Sequence, residues 1–532
     1  MKVRRFYLYA AILATYLCTA GGRLAGVDAL SMYSVAKSLV THGWFDAGDC
    51  APNPRENFCV PGVDGRNYAG FGLIPSLVAA PVVALGGSVA KFTHQNMDIV
   101  AGLFVSLVNS FVGPFICLLV AWLLEEMGYS WRVACLVALT LAFASPLWQQ
   151  CVKGFWSEPL FTLLCISAVV LVRRLSVLAL AAAGFCFGLA CGTRVYGVIL
   201  APALLIYVWL KTRESQPQET RYLTMTFLKN SAAFSVPLVL CLAGIGYFNF
   251  VRFGSPLKTG YHGTFPTLGA LMSEPLLPGL FGNLFDGEVG LVWFVPWVLV
   301  LLLIWKRYWR THRDEAVLIA LVTLIQVIFF SKYTAWHGGP WGDGPRLLLP
   351  CVPFLALPLA DLYDQLMAHG LRSKTAVIGL ALVVLSACIQ LVRQPYPSQR
   401  YYNEEIYREA LGQARGPFEH ALILRTVSDL PDLLRYEGQL KGLNRTGGPR
   451  REQPDRYESA RESIARFRTA DDFLLAAGGV NLVAPDLMLV KMSIFGIPRM
   501  LAALIALLLI GASAAFLAGS LRGNQDELRP AT

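Results

Sequence analysis

The residues most able to do chemistry in this chain sit in a few short polar stretches. The densest is YTAWHGGPWGDGPRLLLP, Tyr333 to Pro350, with Lys332 just ahead of it. Lys332, His337 and Arg346 offer cationic or donor groups for a phosphate, and Trp336 and Trp341 offer flat faces for a sugar ring or an isoprenoid chain. Asp343 supplies the one carboxylate of this stretch. A second candidate is Asp28 in GRLAGVDALSMYSVAKSLVTHGWF, placed directly after a first apolar run. A positioned carboxylate can take the proton of an attacking hydroxyl, so Asp28 is the candidate general base. The plain alternative is a helix N-cap or a solvated loop acid. Glu158 in FWSEPLFTLL has its own plain reading, with Ser157 as cap and Glu158 set against the helix dipole. Arg194 in CGTRVYG lies between two apolar runs and suits an anionic ligand or an internal acid. NFVRFGSPLKTGYHG adds Asn249, Arg252, Lys258, Tyr261 and His262, and GLFGNLFDGEVG adds Asp286 and Glu288.

The elements that must hold these residues are membrane helices. In 532 residues, 55% are hydrophobic and 15% charged, with a mean hydropathy of +0.51, well short of the charge a soluble enzyme carries. The formal charge of +10 does not point to nucleic acid, because the basic residues form short clusters between apolar runs, where they set orientation. MKVRRFYLYAAILATYLCTAGG reads as an uncleaved first span. Most cysteines fall inside apolar runs and behave as small hydrophobes. Cys50 and Cys59 instead flank APNPRENF, where a local disulfide is expected if the loop faces an oxidising compartment.

Apolar runs near 6–22, 99–124, 131–147, 156–172, 176–192, 196–210, 230–250, 289–305, 315–331, 347–366, 374–392 and 497–520 predict an all-α polytopic protein of about 12 transmembrane helices. One further stretch, 72–90, decides the sidedness of everything after it. If it does not cross, then SWR at 130–132, Arg173-Arg174, the 211–229 loop, KRYWRTHR at 306–313 and RSK at 372–374 all share a cytoplasmic side with MKVRR. The candidate residues named above then collect on the opposite side. The expected partition is a membrane module over 1–392 whose outer loop 23–98 carries interfacial helices, an extracytoplasmic soluble segment over 393–496, a last helix over 497–520 and a cytoplasmic tail over 521–532.

Taken together, the acid of the first outer loop, SEPLF, TRVYGVILAP, NFVRFGSPLKTGY and WHGGPWGDGPRLLLPCVPFLALPL resemble the bacterial GT-C membrane glycosyltransferases, relatives of the dolichyl-phosphate-mannose protein mannosyltransferases and of the lipid A aminoarabinose transferases. The resemblance covers about the first 390 residues. It implies a GT-C-like bundle that moves a hexosyl or pentosyl unit, with inversion, from a polyprenyl-phosphate carrier to a lipid, glycan or protein acceptor. The site would lie on the periplasmic face of a bacterial inner membrane. By that resemblance Asp28 is the base and Arg194, Arg346, Lys332 and His337 hold phosphate. Trp336, Trp341, Asp343, Glu158, Tyr261 and Lys258 would contact sugar or lipid. One departure stands out: many relatives pair acids in this loop, whereas Ala29 follows Asp28, so either Asp28 acts alone or another acid such as Asp46, Asp49 or Glu158 assists. Membrane lipids are the expected surroundings, and no nucleic-acid partner or cofactor is expected. A divalent-cation site is open to Asp28, Asp46, Asp49 and Asp64 if their loop folds on itself, but a metal is not favoured. The rival readings are a transporter or flippase for a lipid-linked sugar, and an oligosaccharide ligase or polymerase.

Overall fold

The computed structural model describes residues 2–48, 59–215, 220–263, 267–336, 338, 344–397, 400, 404, 407–408, 422–439, 485–490 and 498–522. Apolar chain in a bilayer must satisfy its backbone internally, and nearly all of it is accordingly helical. The first helices are α1 (Lys2–Thr19), α2 (Gly26–His42), α3 (Leu73–Thr93), α4 (Met97–Ser106), α5 (Val108–Glu126) and α6 (Trp131–Phe143). They are followed by α7 (Leu147–Val152), α8 (Ser157–Val172), α9 (Val177–Thr193), α10 (Ala201–Ser215) and α11 (Thr220–Phe253). Next come α12 (Leu268–Leu271), α13 (Leu276–Phe285), α14 (Leu291–Phe294), α15 (Leu301–Thr311) and α16 (Arg313–Lys332). The chain closes with α17 (Val352–Ala356), α18 (Leu359–His369), α19 (Lys374–Arg393), α20 (Leu422–Gln439) and α21 (Arg499–Arg522). Between α2 and α3, strands β1 (Cys59–Pro61) and β2 (Asn67–Ala69) pair antiparallel, with Val60 opposite Tyr68. Each of the twelve apolar runs carries helix, and the fold class expected from them, an all-α polytopic bundle, is the one observed. Among the described residues seven helices are long and apolar enough to cross a membrane, and eight if the bent pair 346–356 and 359–372 is one span.

Ion pairs gather the basic clusters at one end of the bundle. Arg4 and Arg5 close on Glu125 at 2.5 and 2.7 Å, which sets α1 antiparallel to α5. Arg173 pairs with Glu315, and Lys211 reaches the same carboxylate at 2.8 Å, so the ends of α8 and α10 meet the start of α16. Tyr129 donates to Asp361 at 2.8 Å and ties in α18. These pairs knit the clusters that charge alone assigned to one side.

The 72–90 stretch is an unbroken helix with Pro81 inside it, long and apolar enough to span. Its start nevertheless lies beside the end of α9, where a Cβ on Gly72 would strike the backbone of Gly192 and Thr193. It folds back on α4 so closely that a Cβ on Gly86 would lie 2.6 Å from the Ala101 Cα. The chain then enters α5 where Asn109 donates to the Trp156 carbonyl at 2.7 Å, again at the end remote from Glu125. Both feet of this hairpin therefore stand at the same end of the bundle. With α2 it forms a small cap whose core includes Met32, Tyr33, Ala79, Val83, Ala101 and Val105. Lys37 pairs with Asp98 at 2.7 Å near its tip. A membrane-impermeant thiol reagent applied to intact cells is expected to modify cysteine at 94, in the hairpin tip, and to spare cysteine at 310. The reverse pattern would contradict this connection.

Three helical segments open with 3-10 turns instead of α-helix: Val195–Leu200, Pro296–Val300 and Arg346–Cys351. Such tight turns crowd the chain at the end opposite the basic clusters. Arg194 precedes the first of them and Arg346 opens the third. At the same end Asp486 accepts from Arg23 at 3.0 Å, its backbone N–H donates to the Pro395 carbonyl at 2.7 Å, and α20 begins where the Leu422 N–H meets the Gly287 carbonyl.

Candidate functional site

Four charged side chains far apart in sequence converge between the starts of α2 and α8, the end of α9 and the Arg346 turn. Arg194 Nη2 donates to Glu158 Oε1 at 2.7 Å and to Asp28 Oδ2 at 3.1 Å, while its Nη1 donates to the Tyr261 hydroxyl at 2.7 Å. Arg346 stands at ionic distance from the same acids, Nη1 at 3.4 Å from Asp28 Oδ2 and Nε at 3.9 Å from Glu158 Oε1. Two acids and two arginines make the group neutral overall, which is what allows so many charges to be buried together.

The capping readings fail on geometry, although both acids do sit in the first turn of their helices, where a negative charge complements the dipole. The N-cap of α2 is Ala25, and the Asp28 carboxylate turns to the arginines instead of the helix end. The N-cap of α8 is Trp156, and Ser157 donates its hydroxyl to Glu158 Oε2 at 3.3 Å. The two acids also differ from each other. Glu158 has no exposed surface, with one oxygen held by Arg194 and the other by Ser157. Asp28 keeps 8% exposure and engages both arginines through Oδ2, so Oδ1 takes no hydrogen bond among the described residues.

The cationic half of the group has donors to spare. Among the described residues, Arg194 Nε, Arg346 Nε and Nη1, and Trp156 Nε1 are buried without a hydrogen-bond partner, as is the Tyr196 hydroxyl. A buried donor left unpaired costs about 1–3 kcal/mol. Four such donors around one point describe a site built to receive an acceptor-rich group. Aromatic faces hold both guanidinium planes, with Trp156 4.7 Å from Arg346 and Phe71 5.1 Å from Arg194. Gly338, at a φ of 78°, passes over Arg346, and a Cβ there would lie 3.2 Å from its Nε. Burial raises the Tyr261 phenol above its ordinary range against the opposing pull of Arg194, which keeps it neutral and able to accept from that arginine.

The structure thus brings together Asp28, Glu158, Arg194, Arg346 and Tyr261. It places Lys258 exposed beyond the end of α11, and Lys332 half-buried at the end of α16. Trp336 packs its ring on Gly282 of α13. His337, Trp341 and Asp343 lie outside the described residues. Cys59 is disulfide-bonded, while Cys50 lies outside the described residues. Asp46 and Asp64 each stand 3.8 Å from Arg66 in the β1–β2 region, and Asp49 is not among the described residues. Among the described residues no three of His, Cys, Asp and Glu converge as a metal set. Trp156, Tyr196 and Tyr333 were not legible as site residues. Each reads as an ordinary interfacial or core aromatic until the fold sets it beside a guanidinium, and only the adjacency of Trp156 to SEP offered a hint.

No protein-family profile matches the chain, and no curated protein matches it. Among solved structures it resembles ArnT from Cupriavidus metallidurans bound to undecaprenyl phosphate, with 13% identity over 90% of this chain and 88% of that one and a TM-score of 0.48. It also resembles the apo oligosaccharyltransferase of Archaeoglobus fulgidus, with 14% identity over 76% of this chain and a TM-score of 0.45. The chain spans 58% of the length of that archaeal protein. Likeness at this level leaves the chemistry to be argued from the site itself.

Proposed function

We propose that this integral membrane protein is an inverting glycosyltransferase that moves a sugar from a polyprenyl-phosphate carrier to an acceptor hydroxyl at the extracytoplasmic face of a bacterial cell membrane. One observation carries the reading: a half-free carboxylate and two buried arginines with unpaired donors share one point at the end of the bundle opposite its basic clusters. Asp28 Oδ1 takes the acceptor proton as the acceptor oxygen bonds to the anomeric carbon. The bond from that carbon to the phosphate oxygen breaks, and its electron pair leaves on the phosphate. Arg194 Nε and Arg346 Nε and Nη1 receive the charge that develops there, and because they are already in place they need no reorganisation during the step. Glu158 keeps Arg194 charged and oriented, and Tyr261 fixes its other edge. Lys332 and His337 would add positive charge on the approach, with Trp336, Trp341 and Asp343 beside the sugar or lipid. The membrane module of 1–392 would hold this chemistry, and the 393–496 segment would lie on the same face.

Purified full-length protein in liposomes, given a panel of polyprenyl-phosphate sugars, is expected to release polyprenyl phosphate from at least one of them. The product should carry the anomeric configuration opposite to the donor's. Passage of an intact donor across the bilayer, with no release from any member of the panel, would instead support a transporter and overturn the proposal.

A further inference from the structure

Beside the ion cluster lies a cavity of about 230 Å³ between the start of α3, α9, the end of α11 and the 259–261 loop. Its polar end holds Arg194, Tyr261, Asn249 and Arg252, and its other wall is made of small and apolar residues such as Gly188, Gly192 and Gly244. Gly188 lies six residues before Arg194, about 9 Å along a helix, so the cavity reaches well into the apolar part of α9. Its α11 wall belongs to a helix whose outward face bares Val236, Val239, Leu240, Tyr247 and Phe250 to the surroundings. The space is thus amphipathic and bounded by a lipid-facing helix.

Arg252 is the unusual member. It is only 5% exposed, and among the described residues no carboxylate lies within ion-pair distance of it. Among the described residues its guanidinium donates only to neutral acceptors, the Ala69 carbonyl at 3.1 Å and Asn249 Oδ1 at 2.8 Å, and its Nε has no partner there. Phe248 and Phe253 lie 4.0 and 4.6 Å from it. A buried arginine without a counter-charge is costly unless an anion completes it. The unpaired donors of Arg346 and Trp156 are not part of this cavity. Those donors suit the leaving phosphate, and the cavity reaches the cluster from the Arg194 side.

We propose that this cavity seats the acceptor, and that the acceptor is a membrane lipid whose anionic headgroup is held by Arg252, with its first apolar segment along α9 and α11. The assignment rests on reading the ion cluster as the transfer site. The same chemistry could come from the carrier's own phosphate, and the test separates the two sources.

Full-length protein in phosphatidylcholine nanodiscs doped with phosphatidic acid would be examined by native mass spectrometry, and acceptor-free hydrolysis of the donor measured in parallel. Wild type is expected to retain phosphatidic acid in preference to phosphatidylcholine. Arg252→Gln should weaken that retention by about tenfold or more, since it leaves the lipid's charge unpaired, and Arg252→Lys should keep most of it. Gly244→Phe, which adds a ring at a residue lining the cavity where a Cβ meets nothing within 4 Å, should also abolish retention without a backbone clash. Acceptor-free hydrolysis should survive in both Arg252→Gln and Gly244→Phe. Equal retention of the two lipids by wild type, or undiminished retention by both variants, would overturn the proposal. So would loss of acceptor-free hydrolysis in the folded variants, because the cavity would then belong to the donor. Absence of hydrolysis in wild type with every donor would count against the transfer reading itself, while the lipid-retention arm would still report on the cavity.

Discussion

Asp28→Asn is expected to lower turnover of sugar transfer by about 10²- to 10⁴-fold, the range a positioned general base contributes. The substitution keeps the shape of the side chain and can still accept from an arginine, so the protein should fold, with a lowered midpoint of thermal unfolding because a buried arginine loses its counter-charge. It removes one negative charge from a group of two acids and two arginines, which leaves the arginines with excess charge for the donor phosphate. The KM for donor should therefore hold or fall while kcat collapses, the pattern of a residue needed in the transition state and not for binding. Steady-state kinetics with a fixed acceptor would read this split. An unchanged kcat would remove Asp28 from the base position, and Glu158 could not replace it, because both its oxygens are engaged and no part of it is exposed.

Arg194→Gln should act on stability and activity together, and a paired substitution separates the two. Glu158 has no exposed surface and depends on Arg194 for its 2.7 Å contact, with Arg346 more distant at 3.9 Å. Removing one partner of a buried pair costs about 3–5 kcal/mol, because the other charge stays buried without compensation. Glu158→Gln in the same chain removes that stranded charge, so the double variant should recover much of the unfolding midpoint lost by Arg194→Gln. Activity should stay lost in both, since the donors aimed at the leaving phosphate are gone from each. Thermal unfolding followed by intrinsic tryptophan fluorescence, beside transfer assays, gives both readings. A double variant that regains activity would show Arg194 to be only the counter-ion of Glu158.

Legible in the residues alone were properties that depend on local composition. Apolar length located the helices, because a bilayer demands about twenty apolar residues wherever the chain crosses. Basic clusters pointed to one shared side, and the ion pairs of Arg4, Arg5, Arg173 and Lys211 gather them at one end of the bundle. The same reasoning left 72–90 open, since an apolar helix that crosses and one that caps the bundle share the same hydropathy. Only the contacts of Gly72 and Gly86 show that it folds back.

Chemistry-bearing types were also legible: Asp28 after a first span, Arg194 where basic residues are disfavoured, and Arg346 opening a helix after a glycine-rich loop. Tertiary structure alone decided which of them meet. Asp28 and Arg194 are 166 residues apart and touch only because α2, α8 and α9 place their ends together. The fold also made the first-turn acid Glu158 a fully enclosed counter-ion, made Trp156 a platform for Arg346, and left Arg252 buried without an acid among the described residues. Burial and pairing are properties of three-dimensional packing, and the same residues at the same spacings would carry neither if the helices packed differently.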